Sequence, residues 1–339
     1  MQSSAVPRRT LPQPVNLSRY PRPCRPPAWA RGGHAQTLWA HVLPAREAPL
    51  SKRPGPLRRE VELGDGDRLV VHALPGPSGV RVHLFHGLSG DADSDYMRRT
   101  TDALAARGHS VWAVNHRGCG AGRGLAAKPY HSGSSADLAA VLAASRAEAP
   151  ELAHLALGFS LSGNALLLMA AEQRAPWLRG LIAVNPPIDL ARAARDIHRG
   201  LCRLYELRFL WRLRRSIRER ERDGLARRHH RIPLSASLRE FDELYTAPEG
   251  GFRSADDYYL RCSAGPRLPE ITTPGVILTA ANDPFVDPAA YSGLALPANL
   301  RLHLESCGGH VGYLQRDGAL ARHWLDGALV HYVEALAGR

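Results

Sequence analysis

The sequence predicts an α/β fold in which a mostly parallel central sheet carries helices on both faces. Short apolar runs typical of buried strands alternate with helical segments over most of residues 80–310, and strands that alternate with helices pair in parallel through crossover connections. One connection, between residues 185 and 275, is far longer than the roughly twelve residues that a crossover needs. We therefore expect a helical lid that is inserted into a single α/β core.

Composition and this long connection divide the chain into four parts. Residues 1–27 are rich in Pro and Arg, which favours an extended and flexible arm. Residues 28–187 form the first part of the core, residues 188–270 form the lid, and residues 271–339 form the second part of the core. With 339 residues, of which 44% are hydrophobic, the chain has enough apolar material for one large core.

The regular elements of the core begin with an antiparallel pair of strands at one edge of the sheet. Residues 29–39 mix polar and aromatic side chains without a period that predicts an element. Val61 and Leu63 then belong to a first strand, a turn follows at residues 65–67, and residues 69–73 return as the second strand. The predicted helices of the core span residues 97–106, 136–147 and 164–172. The remaining predicted strands span residues 80–85, 110–115, 152–157, 180–184, 275–279 and 300–304.

A sharp turn from strand to helix at residues 158–163 holds the candidate nucleophile. It reads Gly-Phe-Ser-Leu-Ser-Gly, which is the pattern G-x-S-x-G with Ser162 in place of the last glycine and Gly163 one step later. In such a turn the central serine, here Ser160, adopts a strained backbone conformation that points its hydroxyl into a cleft, so its neighbours have to be small. The same pattern also occurs by chance in ordinary turns, so the rest of the chain decides its meaning.

Two loops further along the chain hold a candidate acid and a candidate base for Ser160. Asp283 follows the predicted strand at 275–279 and is the candidate acid, whereas Asp287 fits better as a helix cap. His310 follows the last predicted strand and a Gly-Gly pair, precedes an expected helix, and is the candidate base. A serine hydroxyl becomes nucleophilic when an imidazole takes its proton and a carboxylate orients that imidazole. The order Ser, Asp, His beyond the carboxyl ends of successive strands is the order of a serine hydrolase triad.

Backbone N–H groups that stabilise an oxyanion are expected at two positions. Leu161 directly follows the candidate nucleophile and supplies the first N–H group, worth on the order of 3 kcal/mol in a transition state. Leu88 supplies the second, from the loop after the strand at 80–85. Residues 86–91 also fit the acyltransferase pattern H-x-x-x-x-D, which we interpret as a coincidence at this place in the fold.

The chain is strongly basic, with a formal net charge of +12 and an isoelectric point near 10.0. Arginine supplies nearly all of this charge, since Lys52 and Lys128 are the only lysines. No recognition motif accompanies the charge, so we expect no nucleic acid as a partner. The first half of the expected lid, residues 196–231, is dense in arginine. This segment is either an ordinary solvated helix or a lid surface that meets an acidic substrate or makes transient contacts with an anionic membrane surface.

Cysteine usage and the absence of targeting segments predict a soluble cytoplasmic protein. The five cysteines are odd in number and form no C-x-x-C pair, which disfavours a disulfide framework or a zinc site. The first residues lack the apolar stretch of a signal peptide, and no run of about 18 apolar residues predicts a membrane span. The chemistry predicted for Ser160 needs no cofactor and no metal, and we expect neither.

Several short blocks of sequence are more specific than the turn around Ser160. They are His34-Ala-Gln-Thr, His86-Gly-Leu, Arg117-Gly-Cys, Tyr130-His-Ser-Gly, Arg239-Glu-Phe-Asp, Asn282-Asp-Pro-Phe and Gly308-Gly-His-Val-Gly. With them the chain resembles the YheT-type family of α/β hydrolases over residues 26–324. The family contains bacterial esterases and eukaryotic lipid acyl hydrolases and acyltransferases. The resemblance implies the α/β-hydrolase fold, a triad of Ser160, Asp283 and His310, and activity on acyl esters, although the family usually has glycine where Ser162 stands.

Together these observations predict a cofactor-independent serine esterase or lipase. It would cleave acyl esters, lipid-like or of short to medium chain length, through an acyl-serine intermediate, so a small acyl ester is the expected partner. Two alternatives share the fold. An acyltransferase would use the same triad and pass the acyl group to an alcohol, whereas a non-catalytic lipid- or anion-binding protein would keep the fold without the chemistry.

Overall fold

The computed structural model describes residues 20–42, 47–226, 228–318 and 320–338. The predicted arm at residues 1–27 lies mostly outside these ranges, so its flexibility stays a prediction. Among the described helices, none combines the length and the apolarity that a membrane-spanning segment requires.

The central sheet of the described chain has eight strands. They are β1 (Leu57–Glu62), β2 (Arg68–Leu74), β3 (Val80–Phe85), β4 (Ser110–Asn115), β5 (Ala153–Phe159), β6 (Gly180–Val184), β7 (Gly275–Ala280) and β8 (Leu300–Glu305). The strands lie in the order β1-β2-β4-β3-β5-β6-β7-β8. Strand β2 runs antiparallel to both of its neighbours, and every other pair is parallel. The predicted edge hairpin and mostly parallel sheet are therefore confirmed.

Helices pack on both faces of the sheet, as the sequence predicts. In the described residues they are α1 (Gly33–Val42), α2 (Asp95–Ala105), α3 (Ser135–Glu148), α4 (Leu161–Ala171), α5 (Leu190–Asp196), α6 (Cys202–Arg222), α7 (Leu238–Phe241), α8 (Ala247–Gly250), α9 (Ala255–Cys262) and α10 (Trp324–Ala337). One apolar core lies between the sheet and α3 with α4, and a second lies between the sheet and α2 with α10. Every residue of α4 is buried, so this helix has no polar face.

The chain leaves the sheet after β6 and returns to it at β7. The described residues between these strands, called the insertion below, form helices α5 to α9, with a π-helical turn at Asp242–Thr246 between α7 and α8. Leu210 and Ile217 of α6 pack with Phe241 and Tyr245 in a small apolar core of their own. The insertion is helical, as expected, and its domain boundaries and its role as a lid remain predictions.

Two elements differ from the sequence prediction. After His310 the chain forms a hairpin of β9 (Leu314–Asp317) and β10 (Leu320–His323) before α10 begins, instead of entering a helix directly. Both strands are largely exposed, so they carry no alternating apolar pattern that could predict them. Helix α1 was not predicted either, because its buried face includes the polar residues Gln36 and Thr37 rather than an apolar stripe.

Candidate active site

Ser160 lies at the turn between β5 and α4 and has φ 51° and ψ −119°. Residues other than glycine rarely adopt a positive φ, so the turn is strained, and the buried strand and helix on either side hold it in place. A Cβ at Gly158 would lie 2.4 Å from the Ser162 carbonyl oxygen, and one at Gly163 would lie 3.1 Å from the Gly158 carbonyl oxygen. The two glycines therefore allow the tight turn that presents Ser160 to a pocket.

The structure brings Ser160, Asp283 and His310 into one line of hydrogen bonds. His310 Nε2 lies 2.8 Å from Ser160 Oγ, and His310 Nδ1 lies 2.9 Å from Asp283 Oδ2. Because a carboxylate only accepts hydrogen bonds, Nδ1 carries the ring proton and Nε2 accepts from the serine hydroxyl. In this tautomer the imidazole is placed to take the proton of Ser160.

Asp283 is buried, and both of its carboxylate oxygens accept hydrogen bonds. Oδ1 accepts the backbone N–H of Phe285 at 2.8 Å and that of Val286 at 3.1 Å. Oδ2 accepts the side-chain N–H of Asn185 at 2.6 Å in addition to the His310 ring. These donors hold the carboxylate in one orientation toward the imidazole.

Asp287, the weaker candidate for the acid, lies outside this line. Its Oδ1 accepts the backbone N–H of Ala289 at 2.9 Å at the start of the short helix Pro288–Tyr291, and its other oxygen pairs with Arg192. Asp287 therefore caps a helix, which is the interpretation that its position in the sequence favours.

Asn185 is a site residue that sequence analysis missed. It directly follows β6, is fully buried, and has φ 46°. Its Oδ1 accepts the Tyr313 hydroxyl at 3.0 Å and the Val311 N–H at 3.3 Å. Its position in the sequence could have revealed it. Asn185 is a polar residue at the carboxyl end of a buried parallel strand, and ligands bind at these ends in such sheets.

The loop after β3 runs directly beside the nucleophile. A Cβ at Gly87 would lie 3.2 Å from the Ser160 Cβ, so glycine lets the backbone pass this close. Leu88 and Leu161 line the same pocket as Ser160. Both residues predicted to supply oxyanion donors are therefore at the site.

Two tyrosine hydroxyls hold the peptide groups that flank Leu88. The Gly87 N–H donates to the Tyr96 hydroxyl at 2.9 Å, and the Ser89 N–H donates to the Tyr130 hydroxyl at 2.7 Å. The loop is thus anchored one residue before and one residue after the predicted donor. Such anchoring fixes the direction of the intervening N–H group before a substrate binds.

His86 and Asp91, the residues of the acyltransferase pattern, do not form a hydrogen-bonded pair with each other in the described structure. The His116 N–H donates to His86 Nε2 at 3.1 Å, and His86 Nδ1 donates to the Gly87 carbonyl at 2.8 Å. Burial lowers the pKa of His86 to about 4, so the ring is neutral near neutral pH. Both ring nitrogens are used to support the backbone, which leaves neither free to act as a base.

Comparison with known proteins identifies the family. A family model described as "Serine aminopeptidase, S33" matches residues 77–301, a span that contains Ser160 and Asp283 and ends before His310. The "Putative esterase YheT" of Escherichia coli is 30% identical over 297 residues, which cover 83% of this chain and 86% of that protein. The chain therefore belongs to the same family of α/β hydrolases as the YheT protein.

Other relatives of this α/β hydrolase carry names of lipid-cleaving enzymes. The human "Phospholipase ABHD3" is 23% identical and the alignment covers 92% of this chain and 78% of that protein. The "Monoacylglycerol lipase" of Saccharomyces cerevisiae is 26% identical, and the alignment covers 74% of this chain and 58% of that protein. Among solved structures, the Pyrococcus furiosus esterase Pf2001 superimposes with a TM-score of 0.54 at 15% identity, over 84% of this chain and 93% of that one. The predicted YheT-type membership and fold are confirmed, and the chain is a hydrolase of the esterase and lipase type.

Ser162, which stands at the last position of the G-x-S-x-G pattern, links the turn to two neighbouring strands. Its hydroxyl donates to the His86 carbonyl after β3 and accepts from His116 Nε2 after β4, at 2.7 Å in the second case. Burial and the neighbouring His86 hold the pKa of His116 well below its ordinary value of 6.5, so this ring is neutral and donates through one nitrogen. The serine side chain is therefore accommodated without crowding the helix.

The His34-Ala-Gln-Thr block of this hydrolase supports the loop that carries the candidate base. Thr37 Oγ1 accepts the backbone N–H of His310 at 2.9 Å, and Gln36 Oε1 accepts that of Leu314 at 2.6 Å. A Cβ at Gly309 would lie 2.7 Å from Thr37 Oγ1, so helix α1 and the loop are in close contact. The sequence alone does not indicate this role for the block.

A largely apolar pocket of about 140 Å³ opens beside Ser160 and His310. The insertion supplies much of its wall, and the Phe285 ring, whose centroid is 4.7 Å from that of His310, closes it near the candidate base. Apolar residues that line it include Leu161, Leu190, Ile197, Phe209, Leu213 and Phe241. The arrangement suits an apolar group attached to a carbonyl that lies at Ser160.

One buried carboxyl group, Asp242, also lines this pocket. It accepts hydrogen bonds from the Thr246 hydroxyl at 2.6 Å and the Tyr259 hydroxyl at 2.8 Å. Burial raises its pKa from 3.8 to about 6. The charge on the pocket wall therefore changes in mildly acidic solution.

The five cysteines are free thiols. In the ranges that the structure describes, no group of three or more His, Cys, Asp or Glu side chains is arranged to hold a metal ion.

Proposed function

We propose that this α/β hydrolase cleaves carboxylic esters of short- to medium-chain acyl groups through an acyl-serine intermediate. The observation that carries the proposal is the line of hydrogen bonds from Ser160 Oγ through the His310 ring to Asp283 Oδ2, with distances of 2.8 and 2.9 Å. The names of the relatives support an ester substrate, since they include an esterase, a phospholipase and a monoacylglycerol lipase.

The first half of the reaction acylates Ser160. His310 Nε2 takes the hydroxyl proton while Ser160 Oγ attacks the ester carbonyl carbon, and Asp283 accepts the Nδ1–H and stabilises the imidazolium. Collapse of the tetrahedral intermediate breaks the bond to the leaving alkoxide, which takes the proton from His310 Nε2. General base catalysis of this kind contributes on the order of 10²- to 10⁴-fold.

The negative charge of each tetrahedral intermediate needs donors that are already in place. The N–H groups of Leu88 and Leu161, both at the pocket with Ser160, would supply them, each worth roughly 3 kcal/mol. In the second half of the reaction His310 takes a proton from water, the hydroxide attacks the acyl-serine, and Ser160 Oγ leaves with the proton of the imidazolium. The products are a carboxylic acid and an alcohol.

The size of the pocket sets the length of the acyl group. Its volume of about 140 Å³ is close to that of an apolar cavity that holds one benzene molecule, so it accepts an acyl chain of about six carbons. Each added methylene contributes roughly 0.8 kcal/mol until the pocket is full, which is about a fourfold gain in kcat/KM per carbon. Longer chains gain less because they extend into solvent.

Labelling with a fluorophosphonate probe tests the nucleophile. We expect the wild-type protein to react, and the variants Ser160→Ala and His310→Ala to remain unlabelled while circular dichroism shows that they are folded. Labelling that persists in Ser160→Ala would show that another residue is the nucleophile. A wild-type protein that neither reacts nor hydrolyses esters would instead be a binding protein on the hydrolase fold.

A series of p-nitrophenyl esters from acetate to dodecanoate tests the substrate class. We expect kcat/KM to rise to about six carbons and then to level off or decline. If aminoacyl amides are cleaved and these esters are not, the ester proposal is wrong. If the acyl-enzyme persists in water and is released only by an added alcohol, the protein is an acyltransferase that uses the same three residues.

A further inference from the structure

We propose that the outer faces of α1 and α6 form a docking face for an anionic lipid surface. The docking face consists of Leu38, Trp39 and Val42 on α1 and of Leu204, Leu207 and Trp211 on α6, all of them exposed. This proposal goes beyond the hydrolase reaction, because a lipid surface can bind the face whether or not Ser160 reacts.

Helix α6 carries apolar residues on the side where a helix of a globular protein carries polar ones. Its inner side buries Leu210 and Ile217. On the opposite side Leu204 is 66% exposed and Trp211 is 57% exposed, with Leu207 between them. At a spacing of three and four residues these side chains form one stripe, which makes no contribution to a core.

Helix α1, whose beginning contacts α6, carries a second group of exposed apolar side chains. Its inner side holds the His310 loop, whereas on the outer side Trp39 and Val42 are 45% and 62% exposed. The His34 ring stacks on Tyr205 of α6 and hydrogen-bonds to its hydroxyl at 3.2 Å, so the beginnings of the two helices are in contact. Exposed apolar side chains grouped on one face of a helix are typical of interaction sites.

The positive charge around the stripe favours an anionic partner. Arg208, Arg215 and Arg218 continue the α6 stripe with the same helical spacing. Arg215 pairs with Glu219 at 2.9 Å, but in the described ranges no carboxylate forms a salt bridge with Arg208 or Arg218. Apolar and aromatic residues bordered by unpaired arginines are the composition of helices that lie in the interface of an anionic membrane.

The docking face also lies close to the pocket. Phe209 and Leu213, on the inner side of the same segment of α6, line the pocket beside Ser160. A helix that rests on a lipid surface through Leu204 and Trp211 would therefore hold the pocket near the acyl chains. A second copy of this chain would cover the apolar stripe but would have to neutralise the same arginines, which favours the lipid surface.

Flotation with lipid vesicles tests the proposal. We expect the wild-type protein to bind vesicles of phosphatidylcholine mixed equally with phosphatidylglycerol, and to bind vesicles of phosphatidylcholine alone more weakly. The double variant Leu204→Ser/Trp211→Ser is expected to lose at least about tenfold in partitioning to both. The variant Arg208→Gln/Arg218→Gln is expected to lose about tenfold on anionic vesicles only.

A control removes two leucines elsewhere that are more exposed than Leu204 and Trp211, in the variant Leu260→Ser/Leu320→Ser, whose native side chains are 77% and 71% exposed. Vesicle binding by this control should equal that of the wild type, and all variants should keep wild-type kcat/KM on a water-soluble ester.

The proposal is wrong if the wild type binds neither vesicle, or if the control loses as much binding as the docking-face variant. It is also wrong if light scattering shows a wild-type dimer that Leu204→Ser/Trp211→Ser converts to a monomer without a change in vesicle binding. If the wild type hydrolyses no ester, the proposed reaction is wrong. The vesicle experiments still test the docking face in that case, because they do not depend on hydrolysis.

Discussion

The side-chain amide of Asn185 donates a 2.6 Å hydrogen bond to Asp283 Oδ2, the same oxygen that lies 2.9 Å from His310 Nδ1. The other end of the amide accepts the Tyr313 hydroxyl at 3.0 Å, and the amide nitrogen also lies 3.3 Å from the Gly309 carbonyl. Asn185 thus connects the end of β6, the carboxylate and the loop of the imidazole. Since Asn185 is not among the residues that line the pocket, we expect it to position the proposed acid rather than to touch the substrate.

Replacement of this amide should lower turnover without weakening substrate binding. A hydrogen bond to a charged group is worth about 1.5–3 kcal/mol, so Asn185→Ala should reduce kcat by on the order of 10- to 100-fold with little change in KM. Steady-state kinetics on a soluble ester measure both constants. Tyr313→Phe keeps the bond to Asp283 and should retain most of the kcat; an equal loss in both variants would mean that the effect is general destabilisation of the loop.

Thr37 should support the same imidazole from its backbone. Thr37→Val keeps the shape but removes the oxygen that accepts the His310 N–H at 2.9 Å, which leaves a buried donor unpaired at a cost of about 1–3 kcal/mol. We expect kcat to fall about tenfold with KM retained. Thr37→Ser restores the hydroxyl and should restore kcat. Failure of the serine variant to recover activity would assign the effect to packing of α1.

Local patterns were sufficient to predict the sheet and the positions of Ser160, Asp283 and His310. Ser160 and Asp283 follow the buried strands β5 and β7, which appear in the sequence as short apolar runs. His310 follows β8, an edge strand with exposed positions that still has a leucine at every second place. Because the carboxyl ends of such strands meet at one edge of the sheet, the order along the chain was enough to expect the three side chains together.

Contacts between distant segments could not be predicted in this way. Thr37 meets His310 across 273 residues, and Asn185 meets Asp283 across 98. Both contacts depend on how α1 and the strand ends are placed in the fold, and neither residue interrupts a periodic pattern that would draw attention to it. The exposed hairpin of β9 and β10 was missed for a related reason, since exposed strands carry little apolar pattern.

Restoring glycine at Ser162 should destabilise the protein rather than improve it. Ser162→Ala removes the hydroxyl that pairs with the His86 carbonyl and with His116 Nε2, and each unpaired buried group costs about 1–3 kcal/mol. Ser162→Gly also removes the hydroxyl, and the low helix propensity of glycine adds up to about 1 kcal/mol of further destabilisation. Chemical denaturation should rank the unfolding free energies in the order wild type, Ser162→Ala, Ser162→Gly. A glycine variant as stable as the wild type would mean that water replaces the serine hydroxyl.

Tyr130 should contribute to transition-state stabilisation through the loop that carries Leu88. Tyr130→Phe removes the acceptor of the Ser89 N–H and frees one anchor of the loop. We expect kcat to fall by about tenfold and affinity for a boronic acid inhibitor to fall by the same factor, with KM unchanged. Tyr332→Phe, which removes a buried hydroxyl of α10 that is hydrogen-bonded to His303 of β8, is the matched control and should leave both quantities as they are. A loss of boronic acid affinity in the control as well would argue against a specific effect on the loop.

Asp242 should make the stability of the protein depend on pH. Burial raises the pKa of its carboxyl from 3.8 to about 6, so the folded state binds this proton more tightly than the unfolded state does. The contribution of Asp242 to the free energy of unfolding is therefore complete below about pH 4, and it falls as the pH rises through 6. The loss amounts to roughly 2–3 kcal/mol.

Asp242→Asn removes this ionisation while the side chain keeps its size and an oxygen that accepts from Thr246 or Tyr259. The free energy of unfolding of the variant minus that of the wild type should therefore increase by roughly 2–3 kcal/mol between pH 4 and pH 7. Asp326, whose pKa burial also raises to about 6, is present in both proteins and cancels in this difference. Urea denaturation of both proteins at several pH values measures the difference between their free energies of unfolding. A difference that stays constant with pH would show that Asp242 is already ionised at pH 4 in the folded protein, and that the two hydroxyl donors outweigh its burial.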